Sequence, residues 1–105
     1  MPLLVKWPGK VRPGAVTDEP VIIEDVYPTL VDAAGGTLSD PTLDGVSFFP
    51  VLRGSGQRAP RPIAVHMPHY ADQGGFPGTA LRFGDWKVIE NLASGAFELY
   101  NLRDD

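Results

Sequence analysis

Glycine and proline punctuate this chain so densely that no regular element in it can be long. Twelve Gly and eleven Pro stand among 105 residues, about a fifth of the sequence. Both are breaker and turn signals, so they predict short elements joined by many turns. The rest of the composition is ordinary for a globular protein, with 43% hydrophobic and 21% charged residues, which sets it apart from a disordered chain. The length fits one small domain or a piece of a larger one. A self-sufficient domain of this size would usually devote more of its sequence to regular structure.

Several function classes fall away at once. The net charge is −4 with both signs spread along the chain, so there is neither the basic stripe that nucleic acid needs nor a polybasic membrane patch. No apolar run approaches the length of a membrane span, and a soluble chain is expected. Met1 is followed by Pro2-Leu3-Leu4-Val5 and then Lys6, too short for the apolar region of a signal peptide. The absence of cysteine rules out disulfides, cysteine-ligated zinc and a cysteine nucleophile, and leaves the compartment open.

The apolar burst from Pro2 to Trp7, closed by Pro8-Gly9, reads as a strand buried on both faces, which wants a parallel sheet around it. Lys10 to Pro20 is loop. Val26, Leu30, Val31 and Ala34 recur at helical spacing, predicting a helix over about Asp25 to Ala34 with Asp25 as N-cap, Pro28 in the first turn and Gly35-Gly36 as its stop. A shorter helix is expected across Ser47 to Leu52. Gln57 to Pro62, polar, basic and proline-broken, reads as a boundary. Beyond it the period changes to strands at Ile63–His66, Thr79–Phe83, Trp86–Glu90 and Phe97–Leu102, with turns at Gly84-Asp85 and Ser94-Gly95. Their alternation fits an antiparallel meander with one buried face, on which Trp86 and Phe97 serve as core residues. The expected class is α+β: residues 1–58 as the end of an α/β layer structure, residues 59–105 as a small antiparallel sheet subdomain.

Five stretches, in order, resemble the sulfatase family. Pro2 to Gly14 is similar to a strand and turn that read loosely PLIVKWPGKIKPG. Asp18-Glu19-Pro20-Val21 with Asp25-Val26-Tyr27-Pro28-Thr29-Leu30 resembles DEPV and DLYPTLLELAG, and Leu43-Asp44-Gly45-Val46-Ser47 with Pro50-Val51-Leu52 and Gly54 resembles LDGVSLLPLLKG. Thr79 to Ile89 is similar to SAIRKGDWKLI, and Glu98 to Leu102 to ELYNL. The resemblance implies the end of an alkaline-phosphatase-like α/β domain followed by a C-terminal antiparallel subdomain. It also implies hydrolysis of sulfate esters by a formylglycine made from Cys or Ser beside a calcium ion. It begins past the family's nucleophile, metal ligands and catalytic lysine, and stops where relatives usually continue into a last helix. Both ends are therefore expected to be cut, with the N-terminal sulfatase domain as the missing partner. Relatives are often exported.

Residue by residue, little catalytic chemistry is left. Ser39-Asp40-Pro41-Thr42 has the Ser and Pro of the family's nucleophile motif but lacks the arginine that would hold an anionic sulfate, and it reads as a turn. Asp104-Asp105 is a solvated pair, not the converging oxygen set a hard cation needs, so no metal site is assigned. Gln73 to Gly78 is glycine-rich but precedes no helix and reads as a flexible loop bordering a cleft. His66 and His69 lie three apart where a strand enters that loop; two imidazoles there can bind a metal, relay a proton or contact an anionic substrate, or serve ordinary structural ends. On the resemblance, His66, His69 and Tyr70 are the expected substrate-pocket residues.

Two readings from different classes remain. The chain is either a C-terminal fragment of a sulfatase-like hydrolase, inactive alone, or a free-standing non-catalytic protein that binds a ligand or self-associates. Since a strand and helix made for a large sheet would expose apolar surface and an open edge, homo-oligomerisation, by strand exchange among other routes, is expected of the isolated chain.

Overall fold

Two glycine-stopped helices and a four-strand meander carry the regular structure of this chain. The computed structural model describes residues 2–72 and 74–104. The chain divides into two compact units, one ending at Arg58 and the other beginning at Ala59, and the fold class is α+β. No helix among the described residues is long and apolar enough to cross a membrane.

In the first unit a 3-10 turn, Ile23–Asp25, runs straight into helix α1, Val26–Ala33. Pro28 sits third in α1 and is fully buried; its missing N–H falls where the helix has no internal acceptor to offer. At the other end Gly35, at φ 76°, and Gly36 turn their N–H groups back onto the carbonyls of Asp32 and Val31, each at 2.9 Å. This is the Schellman pattern, and the positive φ is why glycine stands there. Helix α2, Phe49–Leu52, stops the same way: Gly54 donates to Val51 and Ser55 to Pro50, both at 3.0 Å. It starts two residues later than the sequence suggests. Ser47 is held outside it, donating its hydroxyl to Asp32 at 2.8 Å and accepting the Phe49 N–H at 3.2 Å. The Phe48 N–H meanwhile turns inward to Thr29 Oγ1 at 3.0 Å.

Two expectations are corrected here. Pro2 to Lys6 form no strand and lie exposed, Leu4 at 92%, because among the described residues no strand lies beside them to pair with. Trp7 anchors the segment instead: its carbonyl accepts the N–H groups of Lys10 and Val11, and its ring meets Phe49 at 5.8 Å. Nor does the Asp25 side chain cap α1. It is fully buried and reaches backward and sideways. One oxygen takes the Val46 N–H at 2.9 Å; the other takes the Ile22 N–H at 3.1 Å and Arg58 at 2.9 Å. The Asp25 carbonyl accepts the Thr29 hydroxyl at 2.6 Å.

Arg58 completes this knot. Its side chain is 6% exposed, and it also binds Glu19 at 2.9 Å and the carbonyls of Val46 and Pro20. Burial alone would push its guanidinium down, but the hydrogen bonds and charges of Asp25 and then Glu19 outweigh that and raise it. Among the described residues the buried ones of this unit are thus Asp25, Pro28, Thr29 and Phe48, a core half polar and half apolar, stable because its polar groups are paired. Gly45 lets the loop carrying Val46 pass close to the Glu24 backbone, since a Cβ there would stand 2.0 Å from the Glu24 carbonyl oxygen.

The second unit is one antiparallel sheet in the order β1-β2-β3-β4: Ile63–Met67, Gly78–Phe83, Trp86–Asn91 and Ala96–Asn101. Phe83 pairs with Trp86 across Gly84-Asp85, and only Gly84 of the two has positive φ, 59°, the pattern of a type II′ hairpin. The β3–β4 loop is built on Asn91, whose side-chain oxygen accepts the N–H groups of Ala93 and Ser94, with Gly95 at φ 71° closing it. The meander is the one expected; its buried face is not. Trp86 is 54% exposed, Phe97 68% and Leu99 66%, so Trp86 and Phe97 are not core residues of this chain. Period-2 alternation specifies that a face is apolar, but a partner layer must bury it.

Two substitutions test this account by urea unfolding followed by circular dichroism. Arg58→Met leaves the buried Asp25 carboxylate without its cation and is expected to cost about 3 kcal/mol. Gly45→Ala forces backbone against backbone and is expected to cost about 3 kcal/mol or more. An unchanged midpoint for either would remove the polar knot as the organiser of the first unit.

Candidate functional site

The chemistry-bearing side chains of the second unit gather where β1 enters the long loop to β2. β1 runs one residue further than expected, to Met67, so His66 lies within the strand, while His69 and Tyr70 follow in the loop. All three are exposed, Tyr70 at 70%. His66 pairs with Thr79 across the ladder, and their side chains meet, Nδ1 to Oγ1 at 2.9 Å. That contact orients the imidazole and leaves Nε2 for a ligand. Thr79 in turn pairs with Glu90, and Glu90 with Phe97, so a histidine, a hydroxyl, a carboxylate and an aromatic ring form one row across a single face.

The remaining candidates separate from this row. Ser39-Asp40-Pro41-Thr42 is a turn, as its residue types suggest. Asp40 accepts both the N–H and the hydroxyl of Thr42, at 2.9 and 2.6 Å; those bonds, side chain first and backbone second, hold its carboxyl below the usual range. Asp104 accepts from the Asn101 amide, while Asp105 lies outside the described residues, as does Gln73 of the glycine-rich loop. Arg82 and Lys87 face each other across the β2–β3 hairpin, and the Arg82 Nε donates to the Gly84 carbonyl at 3.2 Å. In the first unit an open cleft of about 220 Å³ is lined by Asp32, Gly36, Thr37, Leu38 and Ser47, but its two side chains best suited to chemistry, Asp32 and Ser47, are spent on each other.

Among the described residues no group of three His, Cys, Asp or Glu side chains converges as a metal site. The site that sequence reasoning missed is the buried Asp25–Arg58–Glu19 knot, a structural and not a reactive cluster. Its only signals were an arginine in a proline-broken stretch and an acid just ahead of α1, 33 residues apart for the Arg58–Asp25 bond; nothing in local periodicity links them.

Comparison with known proteins covers the whole chain. Residues 1–105 match the family described as N-sulphoglucosamine sulphohydrolase, C-terminal. Human arylsulfatase A is 41% identical over 89 residues, which is 83% of this chain and 17% of that enzyme. A sulfatase of Formosa agariphila is 33% identical across 100% of this chain and 21% of its own length. Mouse steryl-sulfatase is 40% identical over 67 residues, 63% of this chain and 11% of that enzyme. A solved 2-O GAG sulfatase superposes with a TM-score of 0.63 at 28% identity, over 77% of this chain and 18% of that one. The chain therefore spans about a fifth or less of the length of these relatives. With its five ordered motifs, its helix-then-meander architecture and a family match along its full length, this chain belongs to the sulfatases and corresponds to their C-terminal region.

Proposed function

We propose that this chain is the C-terminal part of a sulfuric-ester hydrolase, in which the β1 end and the following loop form one wall of the substrate cleft. The observation that carries the reading is the His66 imidazole, fixed by Thr79 at 2.9 Å on an exposed strand end with His69 and Tyr70 just beyond. Imidazoles and a phenol at such a junction suit a sulfated substrate: they donate hydrogen bonds to sulfate or hydroxyl oxygens without the desolvation cost of a full charge. The substrate is a sulfate ester.

The calcium and formylglycine that the family implies do not fit the residues present. Formylglycine needs a Cys or Ser in its motif; the chain has no Cys, and Ser39-Asp40-Pro41 leads into a turn with no arginine. The described carboxylates do not converge on a cation. Nucleophile, metal ligands and catalytic lysine are thus assigned to an N-terminal sulfatase domain as partner, and this chain is inactive without it.

Kinetics of a full-length sulfatase carrying this C-terminal part test the wall. His66→Ala, His69→Ala and Tyr70→Phe are each expected to raise KM or lower kcat by about tenfold, the loss of one hydrogen bond to a charged group. Unchanged kinetics for all three would remove these residues from the cleft. Aryl sulfate hydrolysis by the 105-residue chain alone would overturn its assignment as a non-catalytic part.

A further inference from the structure

The two edges of the meander are built differently. The sheet order makes β1 and β4 the outer strands. β1 is short and boxed in by Pro60, Pro62 and Pro68, which cannot donate to a neighbouring strand and so blunt that edge. β4 carries no such guard. Ala96–Asn101 is six residues long, holds no proline and one charge, Glu98, and presents Phe97 at 68% and Leu99 at 66% exposure. No fifth strand pairs with it among the described residues. The edge is thus open, regular and flanked by apolar side chains.

We propose that β4 is the docking edge for a second copy of this chain, which adds antiparallel about Leu99 to make a continuous eight-stranded sheet. The occupant follows from self-complementarity. A two-fold axis normal to the sheet keeps like faces together, and with a side-chain period of two it must then pass through a residue pair, not between residues. Centred on Glu98, the register sets two carboxylates opposite each other, which is destabilising. Centred on Leu99, it sets Leu99 against the second copy's Leu99 and Phe97 against its Asn101. Glu98 then faces Tyr100 of the second copy, whose hydroxyl can donate to it across the seam in exchange for the 2.6 Å bond it donates to Glu98 within its own strand. Phe97 and Leu99 of both copies then share one face and cover one another diagonally. Because the flanking prolines confine any pairing at β1 to its five residues, growth of a fibre through a β1 edge is disfavoured and the pairing closes at two. The expected self-association therefore belongs to β4 and not to the Pro2–Trp7 segment, and it stands on edge geometry independently of the sulfatase reading.

The chain's lack of cysteine makes the register directly readable. Leu99→Cys places two thiols opposite each other on the axis, about 5 Å between Cα atoms, within disulfide reach. Under a glutathione redox buffer it should form covalent dimers about tenfold faster than Glu98→Cys or Phe97→Cys, whose counterparts lie beyond that reach. By light scattering, the unmodified chain should pass from one copy to two as concentration rises, while Leu99→Lys, with two ammonium groups on the axis, stays single at an unchanged circular dichroism spectrum. Equal crosslinking at the three positions, fastest crosslinking at Glu98→Cys, a single copy at all concentrations, or a Leu99→Lys variant that still dimerises would each overturn the proposal.

Discussion

A single buried carboxylate holds the first unit together. Asp25 has no exposed surface, yet its two oxygens accept from Ile22, Val46 and Arg58, tying the chain before α1, the loop that passes Gly45 and the end of the unit to one point. A charge buried this deeply would be intolerable unpaired, so each of these partners is obligatory and not an added contact. The arrangement suits a sequence rich in breakers: where elements are too short to bury a large apolar face, a saturated polar cluster sets which loops meet. Gly45 and Thr29 follow from it, one by yielding space and the other by passing the hydrogen-bond chain on to Phe48.

The second unit is stabilised by the opposite means. Its strands are bound by an uninterrupted ladder and well-formed hairpins, but much of its apolar surface remains in contact with solvent. A sheet of this kind is shaped to receive another layer, which accords with a chain that spans only about a fifth of its relatives. In the row from His66 through Thr79 and Glu90 to Phe97 the ladder fixes the spacing of the side chains on one face.

Local signals were legible wherever one residue type answers one backbone demand. Gly35 and Gly54 as helix stops, Gly84 and Gly95 as hairpin turns, and Pro28 in the first helical turn all follow from φ preferences alone. The four strands followed from period-2 alternation within a residue or so at each end. The failures share one cause. The Pro2–Trp7 segment, Trp86 and Phe97 carry the apolar pattern of buried residues, but hydrophobicity states a preference for burial and cannot supply the neighbour. Asp25 has the pattern of a cap for a related reason: an acid ahead of a helix has a local use, and nothing in the local sequence points to the arginine 33 residues later that claims it.

By itself, then, the sequence determined the family, through five ordered motifs, and the class of fold, through the spacing of glycine, proline and apolar residues. These are short-range matters, settled by steric and periodic rules acting within a few residues. Only the tertiary structure decided that Asp25 and Arg58 form the centre of the first unit, that His66 is steered by Thr79, and that β4 is the unguarded edge of a sheet whose apolar surface is largely bare. Each depends on which distant segments come within hydrogen-bonding distance, and a one-dimensional pattern does not encode that distance.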